Sequence, residues 1–383
     1  MDRGAGSKGI ALTDRQRLAW LRLIRSDNVG PATFRDLINH FGSAEMALEA
    51  LPELSLRGGS TRPLRVASRE EALAELEFAH RFGARFVGIG EPDYPFSLRQ
   101  IEGAPPMIAV RGDASVLHQP AIGIVGARNC SVSGAKFAVM VARDVGRAGY
   151  TIVSGFARGI DTAAHRASLD TGTVAVLAGG LDKPYPPENE PLIRELLDAR
   201  GLLLSEMPFG WEPRARDFPR RNRLISGIAL GLVVTEAAAR SGSLITARYA
   251  ANFGRLVFAV PGSPLDPRSE GANGLIKDGA SLISSAQDVI EAMAPITRMD
   301  LFSPQQVSEP IVEDERSFSQ PPSDSDRDRI VTALGPSPVE IDDLIRHTGL
   351  PPQSVYLVLL ELDLAGRLHR HPGGMVSLDP VDI

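Results

Sequence analysis

The sequence predicts an α/β protein whose centre is a doubly wound, mostly parallel sheet, with a helical domain before it and a small helix-and-hairpin domain after it. Three observations support this prediction. Between about residues 85 and 295, short apolar runs alternate with helical stretches. The runs are continuously apolar, as in strands that are buried on both faces of a parallel sheet. Glycine-rich turns follow four of the runs, and this alternation is typical of a Rossmann-like fold.

Residues 1–84 are predicted to form the helical domain. Asp14 is placed to cap a helix that runs through Ile24, and a second helix follows the turn Asn28-Val29-Gly30-Pro31. Helix, Gly-Pro turn and helix together resemble a helix-hairpin-helix or SAM-like element, whose turn can present backbone N–H groups to a phosphate. A small packing domain fits the same pattern. A further helix is predicted over Arg69–Phe82.

Residues 85–295 contain the predicted strands and the helices between them. The strands are Met107–Arg111, Ala121–Gly126, Tyr150–Gly155, Thr173–Ala178, Leu202–Glu206, Leu230–Glu236 and Leu256–Pro261, and two of the helices are Ser133–Arg147 and Asp161–Leu169. Ligands of doubly wound sheets bind at the carboxyl ends of the strands. The segments that follow the strands are therefore the first place to search for a site.

Residues 296–325 are predicted to be an acidic linker rich in Pro and Ser, and residues 326–383 a winged helix. The predicted elements of the winged helix are Asp326–Leu334, Val339–Thr348, Ser354–Ala365, and a hairpin of Leu368–His371 with Met375–Leu378. This module carries a formal charge of −4, and only the hairpin tip is basic, with Arg367, His369, Arg370 and His371. A protein-contact or regulatory role therefore fits the module at least as well as DNA binding.

The charge distribution is compatible with an anionic partner although the net charge is −6. Residues 301–325 and 326–383 carry −4 each, which leaves +2 on residues 1–300. Of the 41 cations 37 are Arg, whose planar fork grips phosphate bidentately, although codon bias in a GC-rich genome explains the same enrichment. The single cysteine, Cys130, excludes an internal disulfide. Met1–Ile10 has no apolar signal-peptide core and no apolar run is long enough to span a bilayer, so we expect a cytoplasmic protein without a membrane partner.

Four glycine-rich loops follow predicted strands. They are Gly126-Ala127-Arg128, Ser154–Asp161, Ala178–Asp182 and Arg240–Leu244. In the first loop, Arg128 stands where a dinucleotide fingerprint needs its second glycine, which disfavours NAD and favours a single phosphate. The other loops can offer backbone amides to an anion. The need for a tight strand-to-helix connection explains one such loop without any ligand, but four loops at one sheet edge favour a ligand-binding site.

The segment Pro213–Arg223 is the strongest signal for nucleic acid. Five arginines surround one aromatic residue, Phe218; they are Arg214, Arg216, Arg220, Arg221 and Arg223. Arginine neutralises phosphates while an aromatic ring offers a stacking face to any base, which is what single-stranded DNA binding requires. The alternative is a solvated basic loop whose Phe218 packs in the core.

Candidate catalytic residues are few. Asp161 and His165 are four residues apart on a predicted helix, a spacing that fits a general base but more often stabilises a helix start. Glu236 ends a strand, where it fits either the acid of a nucleotide hydrolase or an acceptor for neighbouring amides. Cys130 lies near a helix N-terminus without a partner base. We therefore predict no catalytic residue, no metal and no cofactor.

Several strings of residues in this order resemble the DprA/Smf family of DNA-processing proteins. The strings are Tyr94-Pro95, Ile124–Arg128, Ser154–Asp161 with His165, Tyr185–Asn189, Phe218–Gly227, Ser241–Ala247 and Val260-Pro261-Gly262. The resemblance is dense over about residues 85 to 290 and looser on both sides. It implies a recombination mediator that binds single-stranded DNA and protects it in natural transformation. It further implies that the protein dimerises through the Rossmann-like domain and helps to load RecA, without catalytic turnover.

The resemblance also implies a set of DNA-binding residues. Gly126 and Arg128 match a phosphate contact, Phe218 a base-stacking position, and Arg221, Asn222 and Arg223 the DNA groove, while Ser154, Gly155, Ser241 and Gly242 match its lining. A basic residue of some members falls near Ala215 here, so Arg214 or Arg216 is expected to replace it. The main alternative is a Rossmann-like nucleotide hydrolase or phosphoribohydrolase with Glu236 or Asp161 as its acid, although the Pro-Gly-Gly-x-Gly-Thr loop of such enzymes is missing.

Overall fold

The computed structural model describes residues 11–298, 322–371 and 373–378. These residues form two compact units. The central unit comprises the described residues of Met1–Leu12 and Ala74–Gln305, and the terminal unit those of Thr13–Leu73 and Gln306–Ile383. The predictions for residues 1–10 and for most of the linker 296–325 fall outside the described residues.

Fifteen α-helices occur along the described chain. They are α1 (Asp14–Ile24), α2 (Pro31–Phe41), α3 (Ala44–Arg57), α4 (Arg69–Arg81), α5 (Phe96–Arg99), α6 (Val132–Arg147), α7 (Ile160–Ala167), α8 (Glu190–Leu197), α9 (Asp217–Ile228), α10 (Gly242–Asn252), α11 (Glu270–Lys277), α12 (Ala286–Arg298), α13 (Asp324–Ala333), α14 (Ile341–Thr348) and α15 (Pro352–Leu364). Within the described residues, no helix combines the length and the apolar character needed to cross a membrane.

A nine-stranded sheet forms the centre of the central unit. Its strands are β1 (Arg85–Gly88), β2 (Met107–Gly112), β3 (Ala121–Val125), β4 (Thr151–Ser154), β5 (Thr173–Val176), β6 (Gly201–Ser205), β7 (Gly231–Val234), β8 (Leu256–Ala259) and β9 (Ser281–Leu282). Their order is β1-β2-β6-β5-β4-β3-β7-β8-β9. The chain runs outward from β3 to β6 and then returns to place β7 on the other side of β3. This reversal is the topological switch point at which ligands of such sheets bind.

The predicted doubly wound sheet is confirmed, with one correction in strand direction. All seven predicted runs form strands, and β3 to β9 are parallel to one another. β2, which we grouped with the parallel strands, is antiparallel to both β1 and β6. It precedes the repeating strand–helix units, so no crossover helix forces it to run parallel to β6.

Apolar cores lie on both faces of this sheet. Ile152 packs in a core with α6, α7 and α12, while its neighbour Val153 packs in a core with α9 and α10. Successive side chains of a strand point to opposite faces, so a continuously apolar strand serves both cores. The continuous runs in the sequence have this physical cause.

The terminal unit contains the predicted helical domain and the predicted winged helix. In the winged helix, β10 (Val339–Glu340), β11 (Leu368–His371) and β12 (Met375–Leu378) form a sheet of order β10-β12-β11. We predicted one helix over Val339–Thr348, but its first two residues pair with β12 and the helix begins at Ile341. A β-branched residue directly after Pro338 favours the extended backbone found there.

The helix starts of the terminal unit correct a second expectation. The N-cap of α1 is Thr13 rather than Asp14: the Thr13 hydroxyl accepts from the Gln16 N–H, and the Gln16 side chain accepts from the Thr13 N–H. This reciprocal pair is a capping box, which satisfies two backbone donors at once. Asp14 lies in the first turn, where its negative charge still favours the helix dipole.

Candidate nucleic-acid interface

A pocket lies beyond the carboxyl ends of β3, β4 and β5, against the first turns of α9. It is lined by Arg128, Ala157, Arg158, Tyr185, Pro186, Pro187, Glu188, Phe218 and Arg221. Its volume, counted out to the open mouth, is about 470 Å³. That figure includes open solvent, and the enclosed space is only about 100 Å³. Common ligand pockets measure about 300–1,000 Å³, so this one admits one group of a nucleotide at its mouth rather than an extended chain.

Arg221 places a buried cation at this pocket. Its side chain donates to the Val176 carbonyl oxygen and, through Nε, to Asn222 Oδ1 at 3.2 Å. Asp161 and Arg221 approach each other across Gly155. A Cβ at Gly155 would lie 2.5 Å from Asp161 Oδ2 and 2.7 Å from Arg221 Nη1. The absence of a side chain at Gly155 therefore allows the carboxyl and the guanidinium to come together.

Burial perturbs both charges of this pair. It raises the pKa of Asp161 from its ordinary 3.8 to about 6, against the opposing effect of the Arg221 charge. Burial also lowers the pKa of Arg221 to about 10, and the Asp161 charge opposes that shift. Desolvation dominates in each case, so neither charge is fully compensated by its partner. An anion that enters the pocket beside Arg221 would supply the missing compensation for the Arg221 charge.

Asp161 and His165 do not form an acid–base pair in the described structure. His165 Nε2 donates to the Gly155 carbonyl oxygen at 2.6 Å, and its Nδ1 lies 2.8 Å from Thr173 Oγ1. Burial lowers the pKa of His165 to about 4, so the ring is neutral at pH 7. Asp161 accepts from the Ala157 N–H at 3.3 Å. Both residues thus hold the loop after β4. The expected N-cap role of Asp161 is wrong, because the N-cap of α7 is Gly159 and no side chain caps it, whereas Asp161 lies in the first turn, where its charge favours the helix dipole.

An aromatic and cationic wall forms the other side of the pocket. The half-buried Phe218 ring meets the Tyr185 ring edge-on, with 5.7 Å between centroids, and the Arg128 guanidinium lies 5.4 Å from the Phe218 centroid. Tyr185 is about half exposed and Arg128 is exposed. The wall therefore combines stacking surfaces with a cation that can reach phosphate, the two components of single-strand binding sites.

The rim carries a weak ion pair. Arg158 and Glu188 are 3.6 Å apart, and both side chains are more than half exposed. An exposed pair of this kind contributes at most about 1 kcal/mol. A phosphate that approaches the rim can therefore replace Glu188 as the partner of Arg158 at little cost.

Glu236 is an acceptor for neighbouring amides, one of the two roles proposed for it. Its carboxylate accepts from the Ser131 N–H at 2.8 Å and from the Ser131 hydroxyl. A Cβ at Gly134 would lie 2.5 Å from the same carboxyl group. Glu236 therefore ties the end of β7 to the start of α6. Burial and the Glu236 charge raise the pKa of the neighbouring Cys130, which keeps that thiol protonated and unreactive.

Four further predicted residues act in the framework of the site. Gly126 packs on Ile160, and Ser154 donates to the Ile124 carbonyl oxygen at 2.6 Å. Asn222 Nδ2 donates to the Gly242 carbonyl oxygen at 3.2 Å. Arg223 pairs with Glu206 and donates to the Gly103 carbonyl oxygen at 2.6 Å. The Arg223 side chain is only 12% exposed. These contacts position Arg128, Phe218 and Arg221 and leave their own polar atoms bonded to the protein.

The remaining predicted residues lie on the surface. Arg214 is exposed, with its guanidinium 4.8 Å from the Trp211 ring centroid, and Arg216 is exposed directly before α9. Ser241 caps α10 by accepting from the Ser243 N–H at 3.3 Å, and a Cβ added to the exposed Gly242 would meet no atom within 4 Å. These residues offer cations and open backbone outside the pocket itself.

The site prediction from sequence missed the segment Tyr185–Glu188, which forms one side of the pocket. The available signal was its place after the loop that follows β5, together with an aromatic residue and neighbouring prolines in a surface segment. Gly159 was also missed. It has a φ of 77°, and a Cβ there would lie 2.4 Å from the Ala127 carbonyl oxygen. Only glycine allows this close approach, which holds the Arg128 loop against α7.

Comparisons with known proteins identify the family. Three family models match in succession: the DprA-like N-terminal HHH domain over residues 14–77, DNA recombination-mediator protein A over 85–294 and the DprA winged helix domain over 314–374. Protein Smf from Synechocystis is 30% identical over 94% of this chain and 98% of its own length, and Protein Smf from Escherichia coli is 37% identical over 74% and 75%.

Two solved structures share this fold. The X-ray structure of DNA processing protein A from Streptococcus pneumoniae matches with a TM-score of 0.60 and 34% identity, covering 74% of this chain and 98% of that one. DNA processing protein A from Helicobacter pylori, whose structure describes a single-stranded DNA binding mode, matches with a TM-score of 0.51 and 26% identity, covering 56% and 96%. The three matched domains and the full-length relatives together show that the chain belongs to the DprA/Smf family of DNA-processing proteins.

Proposed function

We propose that this protein binds single-stranded DNA at the pocket and acts as a recombination mediator rather than as an enzyme. The observation that supports this most strongly is the pairing of the exposed Arg128 with the Phe218 ring, beside the buried Arg221. A base can stack on the aromatic wall while its phosphate meets the two guanidinium groups. Neither interaction depends on base identity, so the protein should show little sequence preference.

The strand would extend beyond the pocket over exposed backbone and cations. Arg214 and Arg216 lie on the surface before α9, and Ser241 and Gly242 lie at the exposed start of α10. Each phosphate that meets an arginine releases a condensed counterion. Affinity should therefore fall steeply as salt is raised, with one nucleotide held in the pocket and its neighbours held mainly by charge.

A salt series with a labelled oligothymidine tests this proposal, with fluorescence anisotropy as the readout. Arg128→Ala should weaken binding about tenfold and reduce the slope of log K against log salt by about 0.7, the value of one phosphate contact. Phe218→Ala should cost about 1–3 kcal/mol with an unchanged slope, because stacking is uncharged. Arg143→Ala is the matched control, since this exposed arginine on α6 pairs only locally with Asp144.

The outcome that contradicts the assignment is parent-like binding by both Arg128→Ala and Phe218→Ala. The absence of turnover is tested separately, by incubating the purified protein with nucleoside monophosphates and measuring free base. Asp161 and Glu236 accept hydrogen bonds from backbone N–H groups. We therefore expect that no free base is released. Release that disappears in Glu236→Gln would restore the nucleotide hydrolase.

We also infer that the protein forms a homodimer through the central unit. β9 is the edge strand of the sheet, both of its residues are exposed, and the side chain of Leu282 is 55% exposed. An apolar residue on an uncovered edge invites pairing with another chain. Sedimentation should show a dimer that Leu282→Asp dissociates; a parent that sediments as a monomer at micromolar concentration would contradict the dimer.

We further propose that this protein helps to load RecA onto DNA in the cytoplasm during natural transformation. The support for this role is membership of the family whose model is described as a recombination mediator. With single-stranded DNA covered by a single-strand-binding protein, this protein should shorten the lag before RecA hydrolyses ATP. Arg128→Ala should lose that effect, and an unchanged lag with the parent protein would remove the RecA role while leaving DNA binding intact.

A further inference from the structure

Helix α15 has apolar residues on two sides, and each side lies in a different core. Val358 and Leu362 pack in the core of the winged helix, whereas Leu360 and Leu364 pack in the core that α1, α2 and α3 form. Leu360 is 2% exposed and Leu364 is fully buried. A helix side that carries apolar residues is normally buried, and here two sides are buried while the side of Tyr356, which is 49% exposed, faces solvent. The sequence pattern of α15 thus matches a helix enclosed between two modules.

The position of α15 makes this burial informative. α14 and α15 are consecutive helices joined by the tight turn Gly349-Leu350-Pro351. In helix-turn-helix proteins the second helix of such a pair enters the major groove of DNA. Here the corresponding helix gives one apolar face to the N-terminal helices, and this face cannot reach a groove while that contact persists.

Polar groups fix the same contact. Thr33 Oγ1 donates to Asp363 Oδ2 at 2.8 Å, and Arg370 donates to Asp363 at 2.9 Å and to Asp36 at 2.9 Å. Arg367 donates to the Gly58 carbonyl oxygen at 3.1 Å. Two of the basic residues at the hairpin tip, which were the sequence argument for DNA binding by this module, therefore bond to the N-terminal helices.

The Gly-Pro turn of the N-terminal helices also contacts α15, through its first residue. Asn28 begins this turn, and its Nδ2 donates to the Leu364 carbonyl oxygen at 2.9 Å, at the end of α15. At Gly58, a Cβ would lie 2.0 Å from the Glu361 carbonyl oxygen, so the two backbones are in close contact. The turn that could present N–H groups to a phosphate thus meets the C-terminal end of α15.

We propose that the N-terminal helices mask one side of α15, so that α15 does not enter a DNA groove in this protein. The winged helix then serves as a clamp on the first helices of the chain. Its formal charge of −4 is compatible with this role, because the role requires no contact with DNA phosphates. The proposal is independent of the pocket in the central unit, because no residue of that pocket takes part in it.

Thiol labelling of the full chain tests the mask at single residues. In a Cys130→Ser background, three variants place one cysteine on α15: Tyr356→Cys on the exposed side, Leu359→Cys in the module's own core and Leu360→Cys at the contact with the N-terminal helices. The native side chains are 49%, 1% and 2% exposed. We expect Tyr356→Cys to label at least 100-fold faster than the other two. Leu360→Cys that labels as fast as Tyr356→Cys, with Leu359→Cys protected, would overturn the mask.

A second set of variants tests what holds the contact and whether DNA opens it. Arg370→Ala should speed labelling of Leu360→Cys at least tenfold and leave Leu359→Cys protected, whereas His369→Ala, on the same strand, should change neither. Saturating duplex DNA should leave all labelling rates unchanged. Slower labelling of Tyr356→Cys with duplex would mean that DNA lies on α15, and it would refute the proposal.

Hydrogen exchange on the unmodified chain guards against variants that unfold the module. The backbone amides of α15 and of α2 should exchange slowly and together, because both belong to one core. Rapid exchange of α2 while α15 remains protected would show that the two modules separate in solution, and the mask would then be wrong whatever the labelling showed.

Discussion

Replacing Asp161 with asparagine should make the free energy of unfolding of the central unit depend on pH between about 4 and 6.5. Two buried groups with opposite effects, Asp161 and His165, lie on the same helix, α7. The folded pKa of Asp161 is about 6 against 3.8, so its carboxyl contribution to stability is lost as the pH rises from about 4 to 6. The folded pKa of His165 is about 4 against 6.5, so its contribution is lost as the pH falls from 6.5 towards 4.

The size of each effect follows from the pKa differences. A difference of one pH unit is worth about 1.4 kcal/mol, so each group changes the free energy of unfolding by about 3 kcal/mol across its window. The two changes nearly cancel in the parent protein. In Asp161→Asn only the change due to His165 remains, and the free energy of unfolding should rise by about 3 kcal/mol from pH 4 to 6.5 relative to the parent.

Urea unfolding at several pH values measures this difference. The chain has two tryptophans, Trp20 in the terminal unit and Trp211 in the central unit. In a Trp20→Phe background, the fluorescence of Trp211 reports on the central unit, because its Nε1 donates to Asp217 at 2.9 Å in the folded state. If the free energy of unfolding shows the same pH dependence between 4 and 6.5 in Asp161→Asn and in the parent, the opposing contributions of Asp161 and His165 are refuted.

Further substitutions test the packing that surrounds the site and the clamp. Gly155→Ala should destabilise the central unit by about 1–3 kcal/mol and weaken binding of single-stranded DNA, because its methyl group would lie 2.5 Å from a carboxylate oxygen; parent-like urea midpoint and affinity would refute this. Gly58→Ala should lower the thermal midpoint of the terminal unit, since its Cβ would lie 2.0 Å from a carbonyl oxygen. Calorimetry on the full chain measures this midpoint, and an unchanged value would contradict the close contact. Glu361→Gln should cost about 1–3 kcal/mol, because the buried Glu361 loses the charge of its ion pair while Arg327 keeps Asp324 and the Pro322 carbonyl oxygen as partners. Asp343→Asn, in an exposed pair, should change the free energy of unfolding by less than about 1 kcal/mol, and equal costs in urea unfolding would contradict the role of burial.

Most of the central fold could be predicted because its strands are apolar on both faces. The seven continuous runs mark strands wherever both sheet faces carry helices, and this condition holds along the middle of the sheet. It fails at the edges. β1 has only two apolar side chains between Arg85 and Gly88, and β9 has two residues that are both exposed, so neither gives a run that differs from a loop. The direction of β2 could not be predicted, since apolar content does not record strand polarity.

The site was predictable in its residue types but less so in their positions. The arginine-rich segment was identified, yet the sequence could not separate Phe218 and Arg221, which line the pocket, from Arg223, which pairs with Glu206. That division depends on which side of α9 each residue occupies. The sheet order brings Tyr185 to the same pocket from a distant loop, and such a juxtaposition has no signature in local sequence.

The shared core of the two chain ends has a consequence for how the protein is made. Asn28 and the carbonyl oxygen of Leu364, which it contacts, are 336 positions apart in sequence. During synthesis the central unit can fold as soon as it leaves the ribosome, but α1, α2 and α3 must wait for α15 before their core is complete. Contacts at this separation form late and slowly. The nascent N-terminal helices therefore expose apolar surface until α15 is synthesised, and a ribosome that stalls before α15 would release a chain whose central unit is folded and whose N-terminal helices lack part of their core.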